Sequence, residues 1–124
     1  MATFILIHGA WQGGWCWERI VPRLEAEGHR VFAPDLPGMG QDPTPLAEIT
    51  LDRWVQFVSD LVYQQKEKVI LVGHSRGGLI ISQVAEQLPE HIQSLVYLAA
   101  ILVPNGGTLA NAMQQHEGAA LELT

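Results

Sequence analysis

Apolar residues in this chain form short continuous runs that alternate with longer stretches in which they recur every three or four positions. The runs are rich in β-branched residues, which is typical of strands buried on both faces. The longer stretches have the spacing of helices with one apolar face. We expect strands at residues 3–7, 30–33, 68–72 and 94–99, and helices at 15–27, 51–65 and 76–88. This alternation predicts an α/β fold, a parallel sheet of about four strands with helices on both faces.

Local signals refine the boundaries of two helices. Pro22 lies inside the first helical stretch, so we expect the helix to restart there with proline in its first turn. Gly28 follows as the residue that ends this helix. Thr50 stands before the second helix and is expected to be its N-cap.

The composition is that of one folded domain. The chain has 124 residues, of which 48% are hydrophobic and 16% charged, and this is enough for a single core. A net charge of −6 without a basic stripe makes nucleic acid and anionic membranes poor partners. We also expect neither a membrane span nor a signal peptide, because the apolar runs are too short and the N-terminus lacks a charged region.

The cysteine and histidine content favours neither a disulfide nor a metal. Cys16 is the single cysteine, so we expect a buried structural thiol in a reducing, cytoplasmic compartment. The five histidines are scattered from His8 to His116, and no Cys/His spacing fits a zinc site. We therefore expect no metal and no cofactor.

The segment with the most specific pattern is Gly73-His74-Ser75-Arg76-Gly77, which follows an apolar run and precedes a helical stretch. This is the G-x-S-x-G pattern of a nucleophile elbow, in which a strained strand-to-helix turn lifts a serine hydroxyl clear of the sheet. Side chains at the flanking glycines would collide with the neighbouring strand or helix. Such a pentapeptide occurs by chance in other proteins, so the strand before it and the helix after it carry the prediction.

Several strand ends are expected to converge on Ser75. Ligands of parallel sheets bind at the carboxyl ends of the strands. The segments at those ends are 8–10, 35–38, the elbow itself and 101–104. We therefore predict an active site at this edge of the sheet.

Three segments resemble the α/β-hydrolase superfamily, and more narrowly its branch of plant methyl esterases, hydroxynitrile lyases and bacterial esterases. Residues 4–11 with 14–17 are similar to the first strand and oxyanion loop of that branch, 35–40 to the loop after its second strand, and 73–78 to its elbow. The resemblance covers residues 3–104. It implies that residues 1–103 are the N-terminal part of the hydrolase core and that 104–124 begin a cap-like segment or form a disordered tail.

The resemblance also implies roles for individual residues. Ser75 would be the nucleophile, and the backbone N–H groups of Ala10 and Arg76 would form the oxyanion hole. Trp11 lines the substrate pocket in one interpretation and belongs to the core in the other. His8 is expected to hold its loop by a side-chain hydrogen bond, and His74 to point away from the Ser75 hydroxyl.

The side chain of Arg76 departs from the apolar residue that is commoner at this position. Its guanidinium would pair either with a carboxylate of the cap or substrate, or with a surface acid such as Glu86. The second interpretation is the more ordinary one.

A catalytic base and acid are missing from the expected places. In this superfamily an acid and then a histidine follow the serine along the chain. His91 precedes the fourth strand, at the wrong end of the sheet, and His116 lies in the tail. The chain thus resembles the N-terminal half of a hydrolase, and we expect a second polypeptide segment to complete the fold and supply both groups.

These observations predict a serine hydrolase of carboxylesterase type that acts on small carboxylic esters through an acyl-enzyme on Ser75. Two alternatives stay open. One is cleavage of a cyanohydrin, as in hydroxynitrile lyases, and the other is a relative that binds small molecules without catalysis.

Overall fold

The computed structural model describes residues 1–99, in which four parallel strands form one sheet. The strands are β1 (Thr3–Ile7), β2 (Arg30–Phe32), β3 (Val69–His74) and β4 (Ile92–Leu98). Their order across the sheet is β2-β1-β3-β4. All three strand pairs are parallel, so the carboxyl ends of the strands lie together at one edge. The prediction of an α/β fold with a parallel sheet is confirmed.

Helices and short 3-10 segments connect the strands. The helices are α1 (Val21–Ala26), α2 (Leu51–Tyr63) and α3 (Gly77–Gln87), and the 3-10 segments are Gly14–Trp17, Leu46–Glu48 and Pro89–His91. The stretch predicted as one helix over 15–27 is therefore divided, with Pro22 in the first turn of α1. Proline is tolerated there because the first helical N–H groups have no intrahelical acceptor.

Two predicted helix boundaries, Thr50 before α2 and Gly28 after α1, agree with the structure. Thr50 is extended, and its Oγ1 accepts a hydrogen bond of 3.0 Å from the backbone N–H of Arg53, which caps α2. Gly28 lies just beyond α1 with φ 90°, a left-handed conformation in which glycine avoids steric strain.

The sheet is covered on both faces, as predicted. Alternation along β1 directs Ile5 and Ile7 into a large core against α2 and α3, and directs Leu6 to the opposite face. On that second face Leu6 packs with Trp17 and Val72 in a smaller cluster beside α1. The larger part of the hydrophobic core therefore lies on the face of the sheet that α2 and α3 cover.

Within residues 1–99, strand β4 has β3 as its one neighbour and forms an edge of the sheet. Val96 and Leu98 on this strand are 37% and 41% exposed. The described residues contain no helix long and apolar enough to cross a membrane. The predicted loop 101–104, the segment 104–124 and His116 lie outside the described residues.

Candidate active site

Ser75 occupies the turn between β3 and α3 in a strained backbone conformation. Its φ is 54°, in the left-handed region that residues with a Cβ rarely adopt. Its N–H donates a 3.3 Å hydrogen bond to the carbonyl of Leu98, at the end of β4. The serine is thus held at the carboxyl edge of the sheet, between β4 and the start of α3.

The two glycines of the elbow are required by close backbone contacts. A Cβ built on Gly73 would lie 2.8 Å from the carbonyl carbon of Gly77, and one on Gly77 would lie 2.7 Å from the carbonyl oxygen of Ile7. Both distances are shorter than a Cβ tolerates against backbone. The absence of side chains lets α3 start directly above the ends of β1 and β3.

The loop after β1 lies against the elbow. A Cβ built on Gly9 would be 3.0 Å from the Cβ of Ser75. Gln12 joins the two segments, because its Oε1 accepts a 2.8 Å bond from the N–H of Gly9 and lies 3.0 Å from Nδ1 of His74. An amide oxygen is an acceptor only, so Nδ1 of His74 carries the proton in this arrangement. His74 thus hydrogen-bonds to Gln12 and not to Ser75, as predicted.

His8 is buried and uses both ring nitrogens. Its Nε2 accepts a 3.0 Å bond from the N–H of Leu36, so its Nδ1 carries the proton and donates to the carbonyl of Gly9 at 2.9 Å. Burial lowers the pKa of His8, which keeps the ring neutral. The predicted structural role of His8 in its loop is confirmed, and the side chain also reaches the loop after β2.

Two backbone N–H groups, those of Ala10 and Arg76, are predicted for the oxyanion hole. Arg76 follows the serine directly, and Ala10 follows Gly9, the residue in contact with the elbow. In the part of the chain that the structure describes, neither N–H donates to a protein acceptor.

Trp11 is not part of the core, because 94% of its surface is exposed. Its φ of 61° is left-handed, an unusual state for a bulky residue. The core interpretation of the tryptophan-rich stretch holds for Trp17 alone, since Trp17 is 4% exposed and Trp15 is 60% exposed.

The pairing of Arg76 with Glu86 is wrong. Among residues 1–99 the guanidinium of Arg76 has no carboxylate within 4.0 Å. It lies over the ring of Trp54, 4.3 Å from the ring centroid. The guanidinium of Arg76 is therefore held by a cation–π contact with Trp54, and not by the expected surface ion pair.

The loop after β2 is tied to the loop after β1 by Asp35. Its Oδ1 accepts a 2.7 Å bond from the N–H of Gly14, and its Oδ2 accepts one of 3.1 Å from Gln41. The sequence did not indicate an individual role for the side chains of Asp35, Gln12 or Trp54. A short polar side chain among glycines and prolines is the signal that could have indicated Asp35, because such residues hydrogen-bond to loop backbone.

A cleft of about 320 Å³ opens beside the elbow, on the α1 side of the sheet. It is lined by Gln12, Cys16, Trp17, Ile20, His74 and Leu98. Nε1 of Trp17 is buried without a hydrogen-bond partner in the described residues. Burial raises the pKa of the Cys16 thiol, which makes it less reactive.

No described histidine is placed to act as the base for Ser75. His91 ends the 3-10 segment before β4, and its ring lies 5.5 Å from that of Tyr63 at the far end of α2. It is thus at the amino end of the sheet, as predicted. Residues 1–99 also contain no group of three or more potential metal ligands.

A comparison with known families agrees with this geometry. The sequence profile of the alpha/beta hydrolase family matches residues 4–123. The chain belongs to the alpha/beta hydrolase family. The predicted superfamily is therefore confirmed over nearly the whole chain.

The relatives of this chain include several esterases. It is 41% identical to the carbendazim hydrolyzing esterase of Nocardioides sp. (strain SG-4G) over 111 residues, which are 88% of this chain and 46% of the relative. It is 42% identical to methylesterase 1 of Arabidopsis thaliana over 103 residues, 80% of this chain and 39% of the relative. The crystal structure of polyneuridine aldehyde esterase superimposes with a TM-score of 0.86 at 31% identity, covering 96% of this chain and 48% of that one. The chain thus spans less than half the length of these relatives, in agreement with the predicted half of a fold.

Proposed function

We propose that the protein is a serine hydrolase of carboxylesterase type that acts on small carboxylic esters. The observation that carries the proposal is the left-handed Ser75, φ 54°, in a turn whose two glycines permit backbone contact with β1 and α3. Strain of this kind costs free energy and persists where the surrounding structure imposes it, commonly at active sites. The esterase names of the relatives support the same reaction class.

In the proposed reaction Oγ of Ser75 attacks the ester carbonyl carbon. A histidine base takes the hydroxyl proton, and the N–H groups of Ala10 and Arg76 donate to the oxygen that becomes negative. The tetrahedral intermediate then expels the alcohol, which receives its proton from the histidine, and leaves an acyl-enzyme on Ser75, which water hydrolyses. The dipole of α3, which begins at Gly77, favours the negative charge at this position.

The base and its partner acid come, in this proposal, from a second polypeptide segment that completes the fold. Two observations support such a segment. The relatives are more than twice as long as the part matched here. Within residues 1–99, strand β4 has an edge with exposed Val96 and Leu98.

We further propose that Trp11 contacts the substrate, because it directly follows Ala10 in the loop after β1 and its side chain is exposed.

We also propose a reducing, cytoplasmic location. The free Cys16 thiol, half-buried and with a raised pKa, suits such a compartment.

Labelling of Ser75 tests the proposed function. We expect a fluorophosphonate to modify the protein once, at Ser75, and a short-chain 4-nitrophenyl ester to release a burst of nitrophenol. Ser75→Ala should abolish both signals and lower kcat/KM by at least about 10³-fold. Ser94→Ala, which removes an exposed hydroxyl from β4, is the matched control and should behave like the wild type.

Two results would contradict the ester reaction. Absence of both labelling and burst would favour a protein that binds small molecules without turnover. Release of cyanide from a cyanohydrin without ester hydrolysis would favour the lyase reaction.

A further inference from the structure

The guanidinium of Arg76 has no protein hydrogen-bond acceptor in the described residues. Arg76 is half-buried, and burial lowers its pKa. A guanidinium presents five N–H donors and no acceptor. Within residues 1–99 these donors reach no carboxylate within 4.0 Å, and none of the side-chain hydrogen bonds involves them. The nitrogen atoms are not among the buried polar atoms without a partner, so they are open to solvent, and an anionic ligand can take the place of that solvent.

The orientation of this guanidinium is fixed by Trp54. The ring of Trp54 is buried, and its Nε1 donates a 2.8 Å hydrogen bond to the carbonyl of Pro37, in the loop after β2. Cζ of the guanidinium lies over this ring, 4.3 Å from its centroid. A cation–π contact of this kind uses none of the N–H donors in a hydrogen bond.

The charge lies at the carboxyl edge of the sheet, where a ligand of Ser75 would bind. Pro37 and the first turn of α2, which carries Trp54, both belong to that edge. The charge of Arg76 is also one of the influences that lower the pKa of His8, at the end of β1. Arg76 directly follows Ser75 in the elbow, and its guanidinium lies over Trp54 at the same edge of the sheet.

We propose that Arg76 is a specificity-determining residue whose guanidinium binds a carboxylate of the substrate, so that the protein prefers esters that carry a second, free carboxyl group. This rests on the proposed ester hydrolysis at Ser75. A planar fork of N–H donors matches the two oxygens of a carboxylate. The favoured substrates are therefore half-esters of short dicarboxylic acids, with a few methylene groups between the ester and the free acid.

Paired substrates test this proposal in the complete protein, with the second segment present. The probes are 4-nitrophenyl hydrogen glutarate, which is anionic, and 4-nitrophenyl pentanoate, a neutral ester of equal chain length. We expect the wild type to prefer the anionic ester. The ratio of the two kcat/KM values should fall about 10- to 100-fold in Arg76→Leu, the range typical of a lost charge-assisted hydrogen bond.

Using the ratio removes effects that a shifted backbone at position 76 has on both esters. Arg76→Lys keeps the charge and loses the fork, so its ratio should lie between those of the wild type and Arg76→Leu. Arg30→Leu is the control for net charge. Arg30 is exposed at the first position of β2, at the amino edge of the sheet and opposite to Ser75, so its loss should leave the ratio unchanged.

The failure of this proposal can be told apart from failure of the proposed function. An unchanged ratio in Arg76→Leu, with neutral ester still hydrolysed, would overturn the role of Arg76 alone.

If the wild type hydrolyses neither ester and Ser75 is not labelled, a binding measurement replaces the kinetics. The thermal shift that glutaramate causes is then measured for each protein. Stabilisation of the wild type but not of Arg76→Leu would support the carboxylate site, and equal stabilisation of both would overturn it. If Arg76→Leu does not fold, Arg76→Gln takes its place under the same criteria.

Discussion

At the scale of single residues, His8 shows how burial fixes a protonation state. The ring accepts a hydrogen bond from the N–H of Leu36 through Nε2, and a protonated ring would lose this acceptor. Burial is the main cause that lowers the pKa of His8 below its ordinary value of 6.5. The folded protein therefore binds this proton less readily than the unfolded chain does.

The pH dependence of unfolding follows from this difference. The stability contributed by His8 is fully present above the unfolded pKa of 6.5, and is lost as the pH falls from there through the lower, folded pKa. The slope from this one group reaches at most about 1.4 kcal/mol per pH unit. Urea unfolding between about pH 5 and 7.5 should show it in the wild type. It should be smaller in His8→Asn, which keeps a donor and an acceptor but cannot titrate.

An equal slope in His8→Asn would show that other groups cause the pH dependence. Asn at position 8 is also expected to lower stability above pH 6.5, because it is shorter than the imidazole ring. The comparison therefore uses the change with pH within each protein and not the absolute free energies of unfolding.

The sequence predicted some residue-level features and not others. Ser75 could be identified because its strain is encoded locally, by two glycines at fixed spacing between a strand and a helix. Gln12 and Trp54 could not, because each acts on a residue far away in the sequence. The contacts of Gln12 with His74 and of Trp54 with Arg76 exist only after β1, β3 and α2 have been packed together.

At the scale of elements, α3 is attached to β4 by two hydrogen bonds in series. Oγ of Ser82 donates to the carbonyl of Gly78 at 2.8 Å, so the hydroxyl of Tyr97 donates to Ser82 at 2.7 Å. Gly78 belongs to the first turn of α3, the turn that follows the elbow. This connection holds the start of the helix in register with the neighbouring strand.

Removal of the Tyr97 hydroxyl tests the connection between α3 and β4. Tyr97→Phe should lower the free energy of unfolding by about 1 kcal/mol, since Ser82 keeps its bond to Gly78. A double-mutant cycle with Ser82→Ala should give a coupling of about 0.5–1.5 kcal/mol, measured by urea unfolding. Tyr63→Phe is the control, because Tyr63 is 70% exposed and its loss should change stability by less than about 0.5 kcal/mol. Zero coupling would contradict the bond.

Periodicity located the elements well because it reports burial, and burial is a local property of a strand or a helix. The predicted run 3–7 is the strand Thr3–Ile7 itself, and the predicted helix 51–65 ends two residues early, at Tyr63. β4 begins two residues earlier than predicted, at Ile92, because Gln93 is exposed and separates Ile92 from the apolar run. Exposed edge positions carry no hydrophobic signal, so their limits depend on pairing with β3.

At the scale of the whole molecule, the exposed residues of β4 determine how the chain behaves without a second segment. Within residues 1–99, Val96 and Leu98 lie on a strand whose outer edge pairs with no other strand. Such an edge pairs readily with another strand. We therefore expect the 124-residue chain alone to associate with itself as its concentration rises.

Leu98→Lys should weaken this association of the isolated chain by at least about tenfold, because pairing would then desolvate a charge. Sedimentation velocity over a range of concentrations measures the effect. Leu46→Lys is the matched control, since Leu46 is 80% exposed and lies in the 3-10 segment before α2, away from β4. Equal association of both variants would locate the contact elsewhere.

The Oε1 atom of Gln12 couples the motions of two segments. It holds Gly9 at 2.8 Å and His74 at 3.0 Å, so the loop after β1 and the end of β3 share one acceptor. Displacement of either segment on its own would break one of these bonds and leave a polar group unpaired. The two segments should therefore move as one rigid body during thermal fluctuations. The separation between the loop after β1 and the elbow should then vary less than the positions of the surrounding loops.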